Sequence, residues 1–94
     1  MRNYELMTIF KPDLEEKDVQ AAVERLGSQI TARGGEVTSS DLWGRRRLAY
    51  PIQDFRDGIY NLTQMKLDPK AVEELERSLK LNDQIIRYMI VNLE

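Results

Sequence analysis

Gly44 to Leu67, reading GRRRLAYPIQDFRDGIYNLTQMKL, is the stretch whose reading decides the fold. Leu48, Tyr50 and Ile52 fall on one parity and Arg45, Arg47 and Ala49 on the other, the alternation of a strand with one apolar face. On this pattern Tyr50 is read as a core residue. Pro51 and the Asp54–Gly58 segment interrupt the strand, with Asp57-Gly58 as the turn signal. A second extended pattern then runs through Ile59, Tyr60, Leu62, Met65 and Leu67. The two strands read as a hairpin.

Toward the N-terminus, the extended pattern reaches back to Glu36 and is preceded by Gly34-Gly35, which stops a helix. That helix carries Val19, Ala22, Val23, Leu26 and Ile30 at helical spacing, and Asp13 with Glu16 resembles a capping arrangement at its start. Before it, Tyr4 to Phe10 alternates Tyr4, Leu6, Thr8 and Phe10 against Met7 and Ile9, which suits a central strand. Toward the C-terminus, Asp68-Pro69 opens a second helix with a capping carboxylate and a proline at the first helical position. Val72, Leu75 and Leu79 form its buried stripe. Asn82-Asp83 breaks it, and Ile85 to Leu93 is rich enough in β-branched and aromatic residues to form a last strand.

Strand, helix, strand, strand, helix, strand is the split βαβ order of the ferredoxin-like α+β folds: one four-stranded antiparallel sheet with two helices on one face. Residues 1–94 are read as one such domain. The spatial order expected is fourth, first, third, second, which leaves the arginine-bearing strand at an edge.

The chain has 14 basic and 16 acidic residues among 94, a formal net charge of -2, so diffuse attraction to nucleic acid is not expected. Basic surface must be local. Arg45, Arg46 and Arg47 supply it, with Arg2, Arg56, Lys66 and Arg87 outlying. Cysteine and histidine are both absent. That removes disulfides, thiolate metal sites, the usual general base and every Ser-His or Cys-His nucleophile, so catalysis and metal or cofactor binding are not expected. Gly34-Gly35 lacks the helix and Lys-Ser/Thr of a phosphate loop, and Glu15-Glu16 reads as a carboxylate pair complementing a helix dipole. No apolar run approaches membrane length, and the opening Met1-Arg2-Asn3-Tyr4-Glu5 has no apolar leader behind it. The expectation is a soluble cytoplasmic chain without a small-molecule substrate.

An exposed edge strand is commonly blunted by charge, and Asp41 with the arginine triplet fits that role. Three adjacent like charges exceed what edge protection requires, which favours a partner surface. Arginine pairs bidentately with phosphate or carboxylate, and Trp43 either packs down on the sheet or faces a partner. Arg2 before the first strand and Arg87 in its neighbour, the fourth, are expected near one another, where two arginines make a phosphate contact. Glu73, Glu74, Glu76, Arg77 and Lys80 read as a solvated helix face with local ion pairs.

Three segments resemble the bacterial small-subunit ribosomal protein S six family: Met1-Arg2-Asn3-Tyr4-Glu5, Trp43-Gly44-Arg45-Arg46-Arg47-Leu48-Ala49-Tyr50-Pro51-Ile52, and Asn82-Asp83 with Ile86-Arg87-Tyr88-Met89. The middle one is long and specific, and the spacing carries the resemblance over essentially the whole chain. It implies a ferredoxin-like protein that is not an enzyme. It also implies binding to the central domain of small-subunit rRNA together with ribosomal protein S eighteen, and a monomer when free. Carried onto this sequence, Asp41, Trp43, Arg46 and Arg47 would face the protein partner and Arg2, Arg87 and Arg45 the rRNA, although Arg45 suits either surface. Some members carry a charged tail, and no role of such a tail is carried over to a sequence that stops at Glu94.

A small regulatory or ligand-binding domain on the same fold is the alternative, since such sheets host unrelated functions. It would need a specific polar pocket. An acylphosphatase-like site would need a glycine-rich anion loop where this chain has Lys11-Pro12-Asp13-Leu14. An RNA-recognition motif would need a glycine and aromatic pattern that Gly58–Leu67 does not carry.

Overall fold

A computed structural model describes all residues, Met1–Glu94. The chain runs β1 (Arg2–Phe10), α1 (Glu16–Ala32), β2 (Glu36–Ile52), β3 (Phe55–Leu67), α2 (Pro69–Lys80) and β4 (Ile85–Asn92). The strands form one antiparallel sheet in the order β2-β3-β1-β4, the ferredoxin-like arrangement expected from the alternation. β1 is central because it pairs on both sides, Leu6 with Thr63 of β3 and with Ile90 of β4.

Successive strand residues point to opposite faces. Tyr4, Leu6 and Phe10 of β1 therefore share a face, and they pack with Ala22, Leu26 and Ile30 of α1 and Leu75 and Leu79 of α2. Both helices cover that one face, and the other face, carrying Met7 and Ile9 of β1, has no helix on it. Each core side chain withdrawn from water contributes roughly 1.5 to 3 kcal/mol. Val23 and Val72 pack only partly buried against the same core.

Asp68 caps α2 as expected: its Oδ1 accepts from the Lys70 N–H at 3.0 Å, and Pro69 takes the first helical position. Gly34-Gly35 ends α1 as expected, their N–H groups bonding the Thr31 and Ile30 carbonyls at 3.0 Å each. The start of α1 differs from expectation. Its N-cap is Glu15, whose side chain makes no capping bond. Asp13 lies in a turn after β1, where the Leu14 N–H reaches the Lys11 carbonyl at 3.4 Å, so it sits ahead of the position a capping residue must occupy.

The hairpin also turns earlier than Asp57-Gly58. Gln53 (φ 50°) and Asp54 (φ 68°) are its two turn residues, both in the left-handed region that a tight two-residue hairpin turn requires. Asp57 and Gly58 lie inside β3, opposite Arg47 and Arg46. Glycine is needed there for clearance: a Cβ at position 58 would collide with Ile9 Cγ2 from the neighbouring strand. Gly58→Ala should therefore cost about 1 to 3 kcal/mol of stability. Urea unfolding followed by Trp43 fluorescence measures this, and an unchanged midpoint would show that β1 and β3 approach less closely than described.

Candidate nucleic-acid and partner interface

β2 is an edge strand whose pairing with β3 shifts register three times, between Val37 and Ser39, between Leu42 and Gly44, and between Arg47 and Ile52. Each shift inserts residues without a partner and re-aims the side chains beyond it. At the middle shift Gly44 has φ 83°, a conformation that side chains rarely adopt, and it stands opposite Tyr60. The Trp43 indole lies over the Tyr60 ring, centroids 6.4 Å apart and planes 9° from parallel. The Arg46 guanidinium carbon stands 5.8 Å from the centroid of the Trp43 ring. Trp43 Nε1 donates to Asp41 Oδ2 at 3.2 Å. Of the two alternatives for Trp43, packing down on the sheet is seen, on Tyr60, with 41% of its surface left exposed.

Of the four candidate partner residues, Asp41, Trp43 and Arg46 form one cluster on the sheet face that the helices leave free. Stacking and cation–π attraction are each worth about 0.5 to 1 kcal/mol at exposed sites, enough to hold the side chains in register without removing them from contact. Arg47 is exposed, opposite Asp57, and makes no ion pair. Arg45 turns away from Arg46: its Nη2 donates to the Pro12 carbonyl at 2.6 Å, and its Nη1 lies 3.9 Å from Asp57 Oδ2. The triplet is therefore split between the two sheet faces rather than forming one basic patch, with Arg46 on one side and Arg45 and Arg47 on the other, as strand alternation requires.

Arg2 and Arg87 do not approach each other. Arg2 opens β1 opposite Leu67, whereas Arg87 pairs with Ile9 near the far end of β1. Antiparallel pairing sets the start of β4 against the end of β1, so the two arginines stand roughly 23 Å apart along the strand direction. Tyr50 is likewise not core: it is 60% exposed, and its hydroxyl accepts from Arg87 Nη1 at 3.1 Å. The reason is the face it stands on: Leu48, Tyr50 and Ile52 keep one parity, but that parity looks toward the side of the sheet that no helix covers, where Tyr50 reaches Arg87. Leu48 keeps its place, packed with Ile9 and Ile86.

The open sheet face also carries apolar surface. Met7, Ile9, Tyr60, Arg87, Tyr88 and Met89 line a shallow depression of about 250 Å³, and Met89 (53%) and Val91 (42%) are markedly exposed. The Tyr88 phenol is held above its ordinary pKa by burial, then by the neighbouring Glu76 charge and the hydrogen bond to it at 3.5 Å. The α2 face is as expected, with Arg77 and Glu73 paired at 3.3 Å and both exposed. No group of acidic side chains converges to hold a metal, and no helix is long and apolar enough to cross a membrane.

Tyr60 was legible only indirectly. It lies on a β3 parity with Gly58, Leu62, Gln64 and Lys66, the mixed composition of a half-exposed face, where an aromatic side chain serves as a platform. The hydrogen bond between Tyr50 and Arg87 has no sequence signal, because it joins β2 and β4, the two edges of the sheet, which do not pair with one another.

The family model described as Ribosomal protein S6 matches residues 3–92. The chain is 50% identical over 91 residues to a protein of Desulforamulus reducens named small ribosomal subunit protein bS6, covering 97% of this chain and 96% of that one. It is 46% identical over 94 residues to the protein of the same name from Moorella thermoacetica, covering 100% and 96%. The crystal structure of 30S ribosomal protein S6 from Thermotoga maritima superposes with a TM-score of 0.92 at 30% identity, covering 97% of this chain and 86% of that one. With these matches spanning both helices and every strand, the chain belongs to the ribosomal protein S6 family of the bacterial small ribosomal subunit.

Proposed function

We propose that this small-subunit ribosomal protein binds the central domain of small-subunit rRNA jointly with ribosomal protein S eighteen, and that the edge strand β2 is its protein-binding surface. The observation that carries this reading is the Arg46–Trp43–Tyr60 stack, held in place at a free sheet edge yet exposed. Aromatic and arginine side chains fixed in this manner are the usual anchors of protein interfaces, since little rotamer freedom is lost on binding. Asp41 fixes the indole, and Arg47, on the opposite parity of the same edge strand, supplies an exposed guanidinium free of ion pairs. Arg2, Arg45 and Arg87 are the proposed rRNA contacts. Arg45, already bonded to the Pro12 carbonyl, would present its guanidinium in a fixed orientation.

A net charge of -2 gives the isolated chain little long-range pull toward RNA. Titrating labelled central-domain RNA should therefore show weak binding by this protein alone and much tighter binding once the basic partner is added. Tight, specific binding by the isolated chain, or no gain with the partner, contradicts the reading.

Replacing Arg46 and Arg47 together by apolar residues should leave the fold intact, because both are exposed and neither belongs to the core. The double variant should bind the partner more weakly and self-associate at high concentration, having lost edge charge. Sedimentation of the free variant and its partner titration read both effects. A monomer with unchanged partner affinity would remove both roles.

Arg2→Ala and Arg87→Ala should each reduce the slope of log affinity against log salt by roughly 0.7 to 0.9 unit on RNA. The two effects should add, because the residues stand at opposite ends of β1. Protein–protein affinity measured without RNA should stay unchanged for Arg2→Ala. Unaltered slopes for both variants would mark these arginines as solvated surface charges.

A further inference from the structure

The groove between α1 and β2 combines two features that the reading above leaves unused. Asn61 of β3 has no exposed surface. Its Nδ2 donates to Thr63 Oγ1 at 3.1 Å and to Ser40 Oγ at 3.4 Å, and its backbone carbonyl accepts from Thr8 Oγ1 at 3.4 Å. Its buried Oδ1 has no hydrogen-bond partner. A buried acceptor left in this condition bears its desolvation cost uncompensated, and such atoms are rare in folded proteins. Beside it lies a groove of about 250 Å³ lined by Gln20, Val23, Glu24, Ser40, Leu42 and Asn61. Glu24 is exposed and belongs to none of the chain's four ion pairs. No basic side chain lines the groove.

We propose that this groove receives one basic side chain, arginine or lysine, from a protein partner lying along the free edge of β2. The inference rests on the partner surface assigned above and deepens it by stating what the partner must carry. The outer backbone groups of β2 are unpaired, since it ends the strand order. A partner segment added there as a further strand points alternate side chains toward the helix-covered side, where the groove opens. Its occupant meets an orphan acceptor in Asn61, a free carboxylate in Glu24 and a further amide in Gln20, so it must bring N–H donors and positive charge. Val23 and the 44%-exposed Leu42 offer apolar flanks for the stem of such a side chain, which keeps its methylenes on apolar surface and its charge on polar partners.

The test titrates the intact, isotope-labelled protein with N-acetyl-arginine methylamide, and in parallel with the norleucine and glutamate analogues, following the side-chain amides of Asn61 and Gln20 by NMR. Saturable shifts at both amides with the arginine compound alone are expected. Glu24→Gln, a surface change that leaves the core untouched, should weaken them by roughly two- to five-fold. Equal responses to arginine and norleucine, a response to glutamate, or no shift because water alone occupies the groove, would overturn the proposal. A second arm measures ribosomal protein S eighteen binding to the wild-type chain and to Glu24→Gln. A similar weakening supports the groove, whereas unchanged affinity of the variant for a partner that does bind overturns it. If S eighteen fails to bind even the wild-type chain, the partner reading fails and the inference resting on it falls too, whatever the small-molecule titration shows about the groove's chemistry.

Discussion

β1 is hydrogen-bonded along both edges, and its alternation constrains every other element of the molecule. With Tyr4, Leu6 and Phe10 committed to the helix side, the pairing register assigns each residue of β3 and β4 to a face. A slip of one residue would expose the core and bury Glu5 and Arg87. The close fit of Ile9 against Gly58 adds a steric pin at the place where β1, β3 and the hairpin end meet. The two consequences that bear on function are a sheet face free of helices and a free edge at β2.

The proposed partner surface lies on an edge that departs repeatedly from regular pairing. On its open face the Trp43 indole lies over the ring of Tyr60 from the neighbouring strand, and Tyr50 reaches Arg87 of β4. The register shifts in β2 twist and interrupt an edge that would otherwise be long and ready to pair with another copy. As a member of a family of structural ribosomal proteins, the chain is a component of the small subunit of the bacterial, cytoplasmic ribosome and not an enzyme.

Element order and strand order were legible in the sequence, because each is specified by local chemistry. The Asp68-Pro69 cap, the Gly34-Gly35 stop and the period of β1 each act within a few residues. What was not legible depended on non-local pairing. Asp57-Gly58 has the composition of a turn, yet Gly58 is glycine because Ile9 of another strand occupies the space of its Cβ. Tyr50 follows the apolar parity of Leu48 and Ile52, but parity alone does not say which face the helices cover, and this one lies on the open side. Arg2 and Arg87 lie on neighbouring strands, and adjacency of strands says nothing about position along them until direction is considered. The unsatisfied Asn61 Oδ1 could not be foreseen either, since its surroundings come from α1, β2 and β3 together.

The central claim is that the partner protein binds along the free edge of β2, and amide hydrogen exchange on the free and partner-bound chain tests it most directly. In the free chain the outward N–H groups of Glu36–Ile52 have no strand partner and should exchange fast, while those of β1 are slow. On binding, protection should rise along β2, centred on Asp41–Arg47, with β4 unchanged. Protection appearing instead along β4 or on the helices, with β2 still exchanging freely, would contradict the claim.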